Sequence, residues 1–465
     1  MPAKDNDRVF CGTIVHSTNS EPLEIRENAI LGVKRGKVVF LEGKDQLQQR
    51  LREHELDTEC LVNLTPRQFV MPGLVDCHIH SPQLAITALG TDKGLLDWLT
   101  TYTYPAEARF ADHDFAHQAH HKTVRRTLRG GTTLASYYST IHTDTTLLLC
   151  QAADELGQRA LVGKVNMDLI APEFYRETTQ QSVAETERFL DEVLSYKSGL
   201  VTPVITPRFA PSCTLPLMTK LGEIAKERNI PIQTHMSETV EEIEAVMKIH
   251  PGHQSYTEVY DAAGLLGSKT ILGHCIHLSD KEIDTLKSRD CGLVHCACSN
   301  NTLRSGVMDI RRLMDRGLKL GLGTDMAGGY TTSMLASIRH SVDVSNICAI
   351  HSHHKQRQQN GEQQQTNTNN HTTNESPPYR PLTMAEAFRL ATLDGSSVLG
   401  QNCGNFEPGR EFDGLLIDPE VKDSPLDLFD FDTPDDVVQK FLYTGDDRNI
   451  SKVYVQGREV VSRTE

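Results

Sequence analysis

The sequence predicts an α/β fold, a (β/α)8 TIM-like barrel with a small flanking β domain built from both chain ends. Three observations predict it. From residue 70 onward, short β-branched or apolar runs recur, and each ends in a reactive polar side chain. A helical pattern follows such runs, as at Thr186 to Leu194 and Met218 to Arg228. Short strand-like segments lie outside this repeat at both ends of the chain. In a (β/α)8 barrel the strand ends converge on a single mouth, which is where catalytic residues collect.

Residues 1–69 read as short strands, for example Leu31 to Phe40, and form the N-terminal part of the small β domain. Residues 70–395 form the barrel. Its first run lies in MPGLVDCHIHSPQ, residues 71–83. With Leu74 to His80 as a strand, His78 and His80 share one face and Ile79 takes the other. After a long connection holding the single tryptophan, Trp98, come TTLASYYST with His142 just beyond, then ALVGKVNMD with Lys164. The fourth run, VTPVITPRF, ends in Arg208-Phe209, and the fifth, PIQTHMSE, carries His235 and Glu238. The sixth, TILGHCIHL, carries His274 and His277; the seventh, LVHCACSN, ends in Ser299-Asn300; the eighth, LKLGLGTDMAGG, carries Asp325. Residues 396–465 supply the C-terminal part of the β domain, with strands around Asp413 to Ile417 and Lys452 to Val461. Within the barrel region, residues 352–378 turn to Gln, Asn, Thr and His with almost no apolar residue, which predicts a disordered insertion.

Composition excludes several function classes. Of 465 residues, 47 are Lys or Arg against 62 Asp or Glu, a net charge of −15 that argues against a nucleic-acid polymer as partner and leaves a small molecule open. The N-terminal MPAKDNDRVF lacks the apolar core of a secretory signal, and no run of eighteen or so apolar residues occurs, so no membrane association is expected. Eleven cysteines without regular spacing fit free thiols in a reducing compartment; the expected location is cytoplasmic.

The strand-end residues form a constellation. His78 and His80 with His235, His274 and Asp325 offer nitrogen and oxygen ligands at one mouth, a set suited to a catalytic Zn²⁺ or Fe²⁺. Glu238, three residues after His235, is placed to act on a substrate without binding metal, as a proton shuttle. Cys296 and Cys298 lack a second thiol pair and read as buried hydrophobes.

The segments MPGLVDCHIH, HMSE, GHC and GLGTDMAGG resemble the amidohydrolase superfamily. DWLTTYTYPAEARF, RRTLRGGTTLASYYSTIHTD, TPRFAPSC, GTDMAGGYTTSML, RLATLDG and FLYTGDDRNI narrow the resemblance to its guanine deaminase branch, from about residue 9 to 460 without the Gln/Asn-rich insertion. The resemblance implies one Zn²⁺ per chain held by His78, His80, His235 and Asp325, with His274 close to the metal and its water. It implies substrate contacts from Gln83, Arg208, Phe209, His235 and Glu238, and catalysis by Glu238, His274 and Asp325. The implied reaction is zinc-dependent hydrolysis of guanine to xanthine and ammonia, with attack at C2, in a homodimeric enzyme. An Arg fork suits guanine O6 and N7, and an aromatic ring suits the purine face. The His235-x-x-Glu238 arrangement favours one metal over a pair bridged by a carboxylated Lys164. The family pattern His-Cys-Pro-x-Ser-Asn is here His295-Cys296-Ala297-Cys298-Ser299-Asn300; the missing proline removes a backbone constraint beside Ser299 and Asn300. Two alternatives remain: an amidohydrolase for another aminated or halogenated heterocycle, and a scaffold of the same fold that binds cytoskeletal partners.

Overall fold

Leu74–His80 is a strand in which every residue is buried, as expected where a parallel sheet is covered on both faces. The computed structural model describes residues 6–366 and 379–463. All eight expected runs are strands, and they form two parallel four-stranded sheets. The first has the order Val201–Pro203, Arg159–Gly163, Thr132–Tyr138, Leu74–His80. The second runs Ile232–Met236, Thr270–His274, Gly292–His295, Lys319–Leu322.

Backbone hydrogen bonds join the two sheets at both edges. On one side Gln233 N–H donates to Ile205 O (2.9 Å) and Ile205 N–H to Pro231 O (3.0 Å). On the other, Asp325 N–H donates to His78 O (2.8 Å) and His80 N–H to Met326 O (3.1 Å). The intervening helices carry the caps their sequences provide. Thr178 and Gln181 form a capping box on helix Thr179–Ser195; Leu215–Arg228 starts with Pro216 in its first turn and stops at Asn229 in the left-handed region, φ 59°.

The flanking sheet draws on both chain ends. Its order is Arg458–Ser462, Ile450–Val455, Gly414–Ile417, Phe69–Pro72, Arg8–His16, Glu24–Lys34, Lys37–Gly43, with Leu61–Asn63 alongside Arg8–His16. The rings of Phe10 and Phe412 stack at 5.4 Å between centroids, and Tyr454 meets Phe10 edge-on at 5.5 Å, so one aromatic core serves both termini. Arg159 binds Asp413 through two hydrogen bonds of 3.0 and 3.2 Å, a buried ion pair that ties this sheet to the parallel strands.

Three segments differ from the sequence expectation. Leu31 to Phe40 is not one strand but the heart of a hairpin, because Arg35 and Gly36 turn the chain with φ of 51° and 76°. Lys452 to Val461 divides in the same way at Gln456 and Gly457, φ 47° and 74°. The two tips touch: a Cβ on Gly457 would lie 3.2 Å from Gly36 Cα. The helix Met334–Thr366 continues through Ser352, where loss of structure was expected. Gln, Lys, Arg and His extend a helix at small cost once a packed segment has nucleated it. Residues 367–378 of the expected insertion lie outside the described residues. Among the described residues no helix is long and apolar enough to cross a membrane, and all eleven cysteines are free.

Candidate active site

The alternation of the first strand sets the site. His78 and His80 project to the same side, where they meet the end of strand Ile232–Met236, the end of Thr270–His274 and the loop after Lys319–Leu322. One ligand atom from each of His78, His235, His274 and Asp325 lies within 4.8 Å of the other three, and all four residues are buried. His80 Nε2 is 3.1 Å from His235 Nε2 and 3.3 Å from Asp325 Oδ1. All five expected groups therefore converge. His274, which the sequence reading placed beside the metal, belongs to the group of four within 4.8 Å, and His80 adjoins that group at 3.1 and 3.3 Å.

These atoms fit a cation. His78 Nε2 and His274 Nε2 are buried with no hydrogen-bond partner, yet lie 3.3 and 3.8 Å from Asp325 oxygens. His235 Nδ1 is 2.6 Å from Arg208 O, so Nδ1–H donates there and Nε2 keeps its lone pair for the site. His274 Nδ1–H similarly donates to Asn300 Oδ1 at 2.9 Å. Burial lowers His78 to about 4, and burial with its imidazole neighbours drives His235 well below the usual range; both are neutral, as ligands must be. Burial works against an ionised Asp325, but the adjacent imidazoles of His78, His80 and His274 outweigh it, and the carboxyl stays well below its ordinary value.

Glu238 lies beside this group. Ser305 donates to its Oε1 at 2.8 Å, and Oε2 is 3.5 Å from His274 Nε2. Burial is the main cause that raises its carboxyl to about 7, the range useful for moving protons at neutral pH. The helix Val240–Ile249 that follows has its own acid: Glu242 forms the capping box with Thr239.

A narrow cavity of about 30 Å³ is lined by eight of the nine expected site residues, all but His78. Leu95, Trp98, Leu99 and Leu303 complete its wall. Gln83 and Arg208 are fixed by a residue that the sequence reading missed. Glu107, fully buried in helix Tyr104–Ala108, accepts from Arg208 Nη1 (2.6 Å) and Nη2 (3.1 Å), from Gln83 Nε2 (2.9 Å) and from Tyr175 Oη (2.8 Å). The signal available was a lone acid in an aromatic stretch, TYTYPAEARF. Asp76 was missed as well; it accepts from Thr324 N (3.0 Å) and Thr324 Oγ1 (2.6 Å), bracing the Asp325 loop against the first strand.

Other strand-end residues have structural partners. Lys164 Nζ is 2.6 Å from both oxygens of Glu177. His277 Nε2 bonds Ser305 O at 2.8 Å. Cys296 and Cys298 are buried, which pushes both thiols up and keeps them protonated. Ala297, where the family pattern has proline, is the first residue of helix Ala297–Thr302, the one helical position at which proline and alanine are both well accommodated. The helix forms without it and still delivers Asn300 to His274.

Comparison with known proteins agrees with this geometry. The sequence pattern described as "Amidohydrolase family" matches residues 69–460. Guanine deaminase of Rattus norvegicus is 47% identical over 463 residues, covering 97% of this chain and 96% of its own, and that of Homo sapiens is 46% identical over the same shares. Among solved structures, guanine deaminase from C. acetobutylicum with bound guanine in the active site superposes with a TM-score of 0.85 at 32% identity, over 98% of this chain and 100% of the other. By a buried three-histidine, one-aspartate centre and by likeness along nearly its whole length, the chain belongs to the amidohydrolase family, in its guanine deaminase branch.

Proposed function

We propose that this protein hydrolyses guanine to xanthine and ammonia. The observation that carries the reading is one cavity shared by the metal-ligating group, the proton-transfer acid Glu238 and the Gln83–Arg208–Phe209 surface. We propose also that the two four-stranded sheets, hydrogen-bonded at both edges, are the halves of a closed (β/α)8 barrel spanning about residues 70–395, with the site at its C-terminal mouth.

One Zn²⁺ per chain would be held by His78, His80, His235 and Asp325, with His274 adjoining. When bound, it supplies the Lewis acidity that makes water nucleophilic near neutral pH. The remaining work falls to the chain. Arg208 donates to O6 and N7 of the purine, Gln83 bonds the ring edge, and Phe209 packs on its face. Asp325 takes a proton from the attacking water while His274 orients it toward C2. Glu238 gives its proton to N3, then takes the remaining proton of the added hydroxyl as C2=O forms and passes it to the amino group, which leaves as ammonia as the C2–N bond breaks; the proton held by Asp325 returns to Glu238. The leucines and Trp98 around the cavity exclude bulk water, which strengthens these interactions.

Ammonia release from guanine by purified protein, with metal analysis of the same sample, tests the proposal. Stoichiometric zinc without ammonia would overturn it. Related structures of zinc-bearing enzymes for other substrates, such as an adenosine deaminase from Xanthomonas campestris with bound Zn at 21% identity, share the fold alone. The buried Glu107–Arg208–Gln83 assembly favours an oxopurine over their ligands.

A further inference from the structure

Glu107 does not line the cavity, yet it is bonded to two residues that do. Its carboxylate meets Arg208 in a two-point pair, 2.6 and 3.1 Å, with both residues buried. Arg208 has five N–H donors; this pair takes one from each terminal nitrogen and leaves three. The Tyr104 ring sits 5.3 Å from the guanidinium carbon, and Tyr175 donates to the same carboxylate. Burial alone would favour a neutral Glu107, but the adjacent Arg208 outweighs it and holds the carboxyl below the usual range. The guanidinium therefore reaches the substrate with its charge already cancelled.

This matters because of what deamination does to the ring. Replacing the 2-amino group by a carbonyl leaves N1–H between two carbonyls and puts a proton on N3 beside the new one, and these ring protons are more acidic than those of guanine. The product is partly anionic where the substrate is neutral. A lone buried guanidinium would hold that anion through charge-assisted hydrogen bonds, which are about twice as strong as neutral ones. With a carboxylate directly behind it, in a site of low dielectric, the advantage disappears.

We propose that Glu107 is a positioning and specificity residue, which neutralises Arg208 from behind so that the cavity prefers neutral oxopurines and lets the anionic product go. The proposal rests on the deaminase reading above. It assigns to helix Tyr104–Ala108 a part in product release, not in the chemical step.

The test is calorimetric binding of xanthine and of hypoxanthine, a neutral oxopurine lacking the 2-substituent, to the metal-loaded protein at one mildly alkaline pH. The wild-type protein should bind xanthine more weakly than hypoxanthine. In Glu107→Gln, xanthine should gain on hypoxanthine by about tenfold or more, the scale of one hydrogen bond to a charged group. Tyr175→Phe removes a bond to Glu107 but no charge, so the ratio should stay at its wild-type value, which separates charge from packing. Tighter xanthine than hypoxanthine binding by wild type, or an unchanged ratio in Glu107→Gln, overturns the proposal. Should Glu107→Gln not fold, the wild-type ratio decides alone. Failure of the protein to release ammonia from guanine would instead overturn the deaminase reading, while the two binding constants remained measurable; binding of neither purine would overturn both.

Discussion

His235 Nδ1 lies 2.6 Å from the carbonyl oxygen of Arg208, so the proposed metal-ligating group and the proposed purine-recognition group are joined by one hydrogen bond. The bond uses the backbone of Arg208, whereas the proposed purine recognition uses its side chain. The two functions are separable by mutation. Arg208→Ala should retain one metal per chain, because the carbonyl that orients His235 remains, and KM for guanine should rise by roughly 10- to 150-fold, as for loss of hydrogen bonds worth about 1.5–3 kcal/mol. Metal analysis with steady-state kinetics checks both halves; loss of metal in this variant would contradict the separation.

His78→Ala and His235→Ala should lose metal and activity together. Each removes one of four ligand atoms that lie within 4.8 Å of one another, so the metal loses a direct bond, a larger loss than the roughly 10- to 100-fold in affinity typical when only an outer partner of a ligand is removed. A variant with stoichiometric zinc would show that the ligand set is drawn differently, with His80 and His274 sufficing.

At Glu238 the expectation reverses. Glu238→Gln keeps the shape and an acceptor for Ser305, but an amide cannot relay protons. Zinc content should persist while kcat falls by roughly 10² to 10⁴. Near-normal turnover in zinc-loaded protein would rule out the shuttle. Ser305→Ala is the milder companion: losing its 2.8 Å bond to Oε1 should lower kcat by about 3- to 10-fold, since a neutral hydrogen bond contributes about 0.5–1.5 kcal/mol, with KM little changed.

Far from the cavity, Asp413→Ala should act on stability alone. It strips Arg159 of two hydrogen bonds in a buried pair, leaving only Glu411 at 2.6 Å to compensate. A loss of roughly 3 kcal/mol is expected, seen as a lower Tm with metal content and KM unchanged. An unchanged Tm would mean that Glu411 carries the pairing by itself.

The strand-end residues were legible because period-two alternation assigns faces without knowledge of anything else in the chain. His78, His80, His235, His274 and Asp325 each sit where an apolar run gives out, and a shared architecture brings such positions together. Glu107 follows no such rule. It belongs to a short helix in the connection after the first strand, and its four bonds come from residues 24 to 101 positions away, distances over which local pattern says nothing. The hairpin at Arg35-Gly36 was hidden for a different reason. Arg is an uncommon first residue for a turn that needs positive φ at both positions, so the apolar alternation on either side read as one continuous strand. Beyond Ser352, composition spoke against a core but not against a helix borrowing its nucleus from the packed segment before it.

In the eight-stranded sheet, Phe69–Pro72 is flanked by Arg8–His16 on one side and Gly414–Ile417 on the other. Those partners are far apart in the chain, so Arg8–His16 is synthesised long before Gly414–Ile417. Throughout synthesis of the intervening chain, the N-terminal strands present an open β edge with unpaired N–H and C=O groups, and half of the aromatic core around Phe10 has yet to appear. A nascent or truncated chain that ends before Gly414 is therefore an aggregation hazard, and a chaperone that shields this edge would act at the stage when it is most exposed. The sheet therefore closes only once Gly414–Ile417 and Ile450–Val455 have joined the N-terminal strands.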